Sequence, residues 1–83
     1  MSYDKVKQAS QTIIGTKQAV KAMRAGQVNQ LIIALDADSW VTDPAILLAK
    51  EIGIPIAIVE SKSELGKACG INVGTAVVAI TVR

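Results

Sequence analysis

Leu31-Ile32-Ile33-Ala34-Leu35 is an unbroken apolar run between Gln30 and Asp36, and its reading decides the fold. Five apolar residues without alternation predict a strand covered on both faces rather than one with a wet side. Such a strand needs helices above and below its sheet. Upstream, Thr16 to about Ala25 reads as a helix that buries Ala19, Val20 and Met23 and ends where Gly26 supplies a left-handed residue. Downstream, Asp43 and Pro44 read as the N-cap and first position of another helix. Its expected apolar face is Ile46, Leu47, Leu48 and Ile52, with Gly53 and Pro55 ending it.

The same alternation continues to both ends of the chain. Ile54 to Val59 reads as a second buried strand, Ser61 and Glu64 as the capping box of a short helix closed by Gly70, and Val73 to Val82 as the last strand. In the other direction, Ser2 caps a leading helix through about Gln11, and Thr12 to Ile14 forms a short strand. The expectation is one domain over residues 1–83, of the α/β class. Its architecture is a three-layer α/β/α sandwich around a four-stranded mixed sheet. Strand order stays open, and the short first strand can pair in either direction.

Composition narrows the function classes. At 83 residues the chain holds one modest core, burying about 60% of the unfolded surface. It is 51% hydrophobic but only 2% aromatic, with Tyr3 and Trp40 as its rings, which argues against the aromatic stacking platforms of RRM sheets and cold-shock barrels. The absence of His removes the commonest general base and metal ligand. Cys69 is the single cysteine, so the chain forms no internal disulfide or thiolate zinc site, and no cofactor is expected. The polar N-terminus and the lack of an apolar run near ~20 residues point to a cytoplasmic protein that avoids membranes.

Net charge is only +2, yet the charge is segregated. Residues 1–26 carry Lys5, Lys7, Lys17, Lys21 and Arg24 against Asp4, whereas residues 27–60 carry Lys50 against Asp36, Asp38, Asp43, Glu51 and Glu60. From residue 61 on, Lys62, Lys67 and Arg83 outnumber Glu64. A fold that joins the first and third segments has a basic edge.

Gly15-Thr16-Lys17-Gln18-Ala19-Val20-Lys21-Ala22-Met23-Arg24 is the strongest functional signal. A helix start offers unpaired N–H groups at the positive end of its macrodipole, where phosphate is favoured. Lys17, Lys21 and Arg24 recur at spacings of four and three, on one helical face. Charged helix faces are often merely solvated. Here no acidic residue balances the stripe, and a second glycine-rich turn, Gly70-Ile71-Asn72-Val73-Gly74, offers apolar side chains next to Lys67. If both turns share one end of the sheet, they combine phosphate contacts with an apolar surface for an unstacked base.

Two other motifs carry less. Asp36-Ala37-Asp38 after a strand has the form of an aspartate-nucleophile phosphatase site, but Glu60 is the only comparable later carboxylate, so a polar loop before a helix is the simpler reading. Gly66-Lys67 lacks the upstream Gly and following Ser or Thr of a P-loop, with Ser61 and Ala68 in those places. Cys69, among small apolar residues, reads as a structural thiol.

Gly15-Thr16-Lys17-Gln18-Ala19-Val20-Lys21, followed by Leu65-Gly66-Lys67-Ala68-Cys69-Gly70-Ile71-Asn72-Val73-Gly74-Thr75-Ala76, resembles the kink-turn RNA-binding family of archaeal and eukaryotic large-subunit ribosomal proteins. It is especially similar to the small bacterial YbxF-like members, over essentially the whole chain. The resemblance implies that the helix opened by Gly15 and Thr16 enters the kink-turn beside its tandem G·A pairs. Lys17 and Gln18 stand where the family usually has Asn-Glu, and Lys21 matches the family lysine. It further implies that Ile71 and Val73 cover a base extruded from the bulge, with Asn72 between them where a glutamate is frequent.

The expected function is thus non-enzymatic: recognition and stabilisation of kink-turn motifs in structured RNA, ribosomal or riboswitch-like. The expected site is Gly15, Thr16, Lys17, Gln18, Lys21, Arg24, Lys67, Ile71, Asn72 and Val73, and the metal and cofactor sets are empty. The expected partner is kink-turn RNA, within the ribosome or another ribonucleoprotein, bound by a monomer. The alternatives are a protein-interaction or ribonucleoprotein assembly module that uses the acidic surface at Asp36, Asp38 and Asp43, without kink-turn preference, and a small magnesium-dependent phosphatase using Asp36.

Overall fold

The computed structural model describes residues 11–81. Seven elements follow one another: β1 (Thr12–Ile14), α1 (Thr16–Arg24), β2 (Val28–Ala34), α2 (Ser39–Ile52), β3 (Ile56–Val59), α3 (Lys62–Ala68) and β4 (Val77–Thr81). The leading helix expected from Ser2 lies outside the described residues.

The strands form one mixed sheet in the order β1-β4-β2-β3. β2 is central, parallel to β3 with Leu31 opposite Ile56, and antiparallel to β4 with Ile33 opposite Val77. β1 pairs antiparallel with β4, Ile14 opposite Val78. Alternate residues of β2 therefore serve two cores. Leu31 and Ile33 pack with Val77 and Ala79 beneath Ala19, Ala22 and Met23 of α1 and Ala45 and Ala49 of α2. Ile32 and Ala34 pack with Val59 and Val78 against Leu65 of α3. The continuous run at residues 31–34 is buried on both faces, as a three-layer α/β/α sandwich requires.

Boundaries of four elements differ from the sequence reading; β3 starts at Ile56 rather than Ile54 and, at the edge of the sheet, leaves Ile58 61% exposed. α2 begins at Ser39, not at Asp43, with Asp38 as its N-cap residue and Pro44 inside it. The Asp38 carbonyl accepts from Val41 N–H at 3.0 Å and from Thr42 N–H at 3.3 Å, and Thr42 Oγ1 donates to the Ser39 carbonyl at 3.3 Å. These bonds carry the helix through the position where Pro44 denies Trp40 its i+4 donor. The longer helix also turns its face: Thr42, Ala45 and Ala49 are buried, Ile46 and Leu48 of the expected stripe pack half-buried on the same core, and Leu47 and Ile52 are exposed at 67% and 47%. Small side chains on both helices let α1 and α2 approach closely over the sheet, leaving Val20 only partly buried beside Ala22.

β2 begins three residues early, at Val28, and ends at Ala34, with Leu35 exposed in the turn. β4 begins at Val77, not at Val73. Residues 73–75 are drawn to α3 instead: Thr75 N–H donates to the Lys62 carbonyl at 3.1 Å, and the Val73 carbonyl lies over Gly66.

Candidate functional site

Gly15 closes β1 and opens α1. Its N–H donates to the Val77 carbonyl at 2.9 Å, and its own carbonyl accepts from Ala19 N–H at 2.9 Å. Between these bonds the backbone turns with φ 103°, a left-handed value that suits glycine. Gly15 has no side chain to cap the helix and no acidic residue sits in its first turn, so among the described residues the N–H groups of Thr16, Lys17 and Gln18 have no side-chain partner.

The helix turns Ala19, Ala22 and Met23 inward, and Lys17, Gln18, Lys21 and Arg24 are exposed. Among the described residues, Lys17, Lys21 and Arg24 pair with no carboxylate. Cations left without partners on one face keep a positive potential available to a polyanion.

The bond from Gly15 to Val77 joins this helix start to the strand that follows the second turn. Ala34 N–H donates to the Ala76 carbonyl at 2.9 Å, which fixes the same loop against the end of β2. Both glycine-rich turns thus lie at one end of the sheet. Within the second, Gly70 has φ 81°, Ile71 is half-buried with its N–H on the Gly66 carbonyl at 3.1 Å, Asn72 is exposed, and Val73 is 69% exposed. Thr75 is buried, its Oγ1 donating to the Val77 carbonyl at 3.1 Å. Lys67 lies on the exposed side of α3, 3.8 Å from Glu64, an ion pair worth little in water.

The carboxylates also gather at this end, beyond the opposite side of the sheet. Asp36 and Asp38 follow β2, and Glu60 follows β3. Asp36 Oδ1 accepts the Lys62 N–H at 2.8 Å, which caps α3, and Asp38 is the N-cap residue of α2. Of the Asp-x-Asp pair, Asp36 caps α3 with its carboxylate, whereas Asp38 holds the N-cap position of α2 without a side-chain cap bond. The sequence pattern at Asp36 does not reveal its long-range bond, since the partner is 26 residues away.

Trp40 is a feature the sequence reading left unassigned. It is 76% exposed at the start of α2 and lines a groove of about 410 Å³ with Thr16, Lys17, Val20, Val41 and Pro44. The signal for it was its being the sole Trp in a chain with an aliphatic core. Cys69 caps the end of α3 and packs on the second core. Burial pushes its thiol above the ordinary value, opposed by a hydrogen bond with Thr12, as suits a structural thiol.

Fold and site together define a small α/β binding domain with an open cationic helix start beside a glycine-rich loop. The chain belongs to the ribosomal protein L7Ae/L30e/S12e/Gadd45 family, whose model matches residues 2–83. It is 54% identical over 80 residues to an RNA-binding protein of Bacillus pumilus, covering 96% of this chain and 98% of that one. It is 45% identical, with the same coverage, to the RNA-binding protein YbxF of Geobacillus stearothermophilus. Among solved structures, the Giardia lamblia 15.5kD RNA binding protein superposes with a TM-score of 0.89 at 31% identity, over 99% of this chain and 72% of that one. The family is non-enzymatic, which sets the phosphatase reading aside.

Proposed function

We propose that this protein binds structured RNA and recognises kink-turn motifs, stabilising their bent form by binding it in preference to the open one. Membership of a family whose relatives are named RNA-binding proteins supports the RNA. The observation that carries the reading is the Gly15 N–H to Val77 carbonyl bond, which ties the uncapped α1 start to the strand leaving the Gly70–Gly74 turn. A single RNA bend can meet both.

In this reading Lys17, Lys21 and Arg24 contact phosphates and supply most of the affinity. Lys67 adds to them once it exchanges Glu64 for a phosphate. Gln18 can donate and accept at a guanine edge, and with the Gly15–Thr16 backbone it selects for the G·A tract. Ile71 and Val73 cover an extruded base, and the uncharged Asn72 between them avoids repelling phosphate. The protein acts as a cytoplasmic monomer, on ribosomal RNA or a riboswitch-like leader.

A gel-shift comparison of a kink-turn duplex with a variant lacking its G·A pairs tests this. Tight binding to the first and weak binding to the second is expected. Equal affinity for both would overturn kink-turn recognition.

A further inference from the structure

Trp40 is the one tryptophan of the chain and stands 76% exposed, although burying an indole is among the largest apolar gains a small core can make. Its groove lies between α1 and α2, with Val20, Val41 and Pro44 as apolar walls and Thr16 at the edge. Among the described residues, the single charged one lining it is Lys17, which also belongs to the cationic face of α1. Neither Ile71, Asn72 nor Val73 lines it, so it is separate from the glycine-rich loop. An apolar slot with one aromatic ring and one cation at its rim matches a nucleotide, whose base is a flat π-face and whose phosphate is an anion.

We infer that the Trp40 groove is a second base-binding site, in which an unpaired nucleobase of the bound RNA stacks on the indole while its phosphate meets Lys17. The inference rests on the RNA-binding reading above and deepens it. Scarcity of aromatic residues excludes a multi-ring platform on the sheet, but one ring at a helix start needs no such set. Continuity favours RNA as the occupant, because Thr16 and Lys17 belong both to the groove and to the edge proposed to hold the kink. An RNA seated on α1 needs only an unpaired nucleotide beside its kink to reach the ring.

The full chain carries its own reporter, since Trp40 supplies its only indole fluorescence. A kink-turn RNA with a few unpaired nucleotides flanking the kink is titrated into the protein, with gel shift run in parallel. Saturation is expected to quench the indole, and one abasic replacement among the unpaired nucleotides is expected to abolish that quenching. Trp40→Leu keeps apolar bulk without a ring and is expected to weaken binding about tenfold, within the range for one stacked base, whereas Trp40→Phe stays within about threefold. The exposed position lets both variants fold, which thermal unfolding checks.

An unquenched indole in a complex that gel shift detects overturns the groove site and leaves the kink-turn reading standing. Equal affinities for Trp40→Leu and Trp40→Phe also overturn it. Quenching that grows with protein concentration in the absence of RNA assigns the groove to a second copy of the chain and overturns the base. Loss of all RNA binding overturns the kink-turn reading, and the groove inference with it.

Discussion

The Lys62 backbone N–H donates to Asp36 Oδ1 at 2.8 Å, so a carboxylate in the turn after β2 caps the helix that follows β3. Ser61 supplies the local cap, its hydroxyl accepting from Glu64 N–H at 3.3 Å. Two donors of the first turn of α3 are thereby satisfied from two separate parts of the chain. Because Thr75 N–H bonds to the Lys62 carbonyl, the cap also fixes where the loop before β4 is anchored.

Asp36→Ala is expected to lower stability by about 1 kcal/mol, the usual cost of a lost side-chain cap. Asp36→Asn keeps an accepting oxygen and loses less. Urea unfolding reads this as a lower midpoint at constant slope. An unchanged midpoint for Asp36→Ala would show that water replaces the carboxylate without cost.

Gly66 decides a competition between helix propensity and packing. Alanine in its place gains about 1 kcal/mol of intrinsic helix preference. Its Cβ, however, would overlap the Val73 carbonyl oxygen, which is backbone and cannot swing aside. Overpacking of this kind costs about 1–3 kcal/mol, so Gly66→Ala is expected to destabilise the fold or displace residues 70–76. Its unfolding midpoint and its kink-turn affinity should both fall. Gly53 has open space around it but φ 81°, so alanine there is strained by its backbone alone and separates that cost from the overlap met at position 66.

The sandwich was legible because its signals are local. Leu31 to Ala34 announced a doubly covered strand, Ser61 with Glu64 a helix start, and Gly26, Gly53 and Gly70 the left-handed ends of helices. The Asp43-Pro44 signal misled for a physical reason: a helix can absorb one missing bond when the Asp38 carbonyl and Thr42 hydroxyl hold its first turn. Val73 to Thr75 were read as strand, but contacts with α3 hold them out of the sheet, and contacts across the fold leave no mark on a local pattern. The cationic stripe could be read from spacing alone. Its union with the second turn through Gly15 and Val77, like the meeting of Trp40 with Lys17, exists only once the chain is folded.

Lys21 tests the electrostatic part of the site. It is exposed in the last turn of α1 and pairs with no described carboxylate, so truncating it removes a cation with little effect on packing. If it meets a phosphate, Lys21→Ala weakens kink-turn binding and reduces the slope of log K against log salt by about one ion's worth. Filter binding across a salt series measures both. A weaker complex with an undiminished slope would place Lys21 away from phosphate.

Cys69 sets an alkaline limit. Burial raises its thiol above the ordinary value, against the opposing hydrogen bond with Thr12. The native state therefore keeps a proton over a pH range in which the unfolded chain has released it. Stability from this source is complete below the unfolded thiol's value, about 8.5, and is lost as pH rises through the higher native one. Cys69→Ala removes the titration while keeping a small apolar residue beside the second core. Tyrosine and lysine titrations act on both proteins alike, so the difference between their stability profiles isolates the thiol. Above neutral pH the wild-type unfolding free energy is expected to decline more steeply than the variant's. Parallel profiles up to about pH 10 would mean that the thiol loses its proton equally well in the folded and unfolded chains.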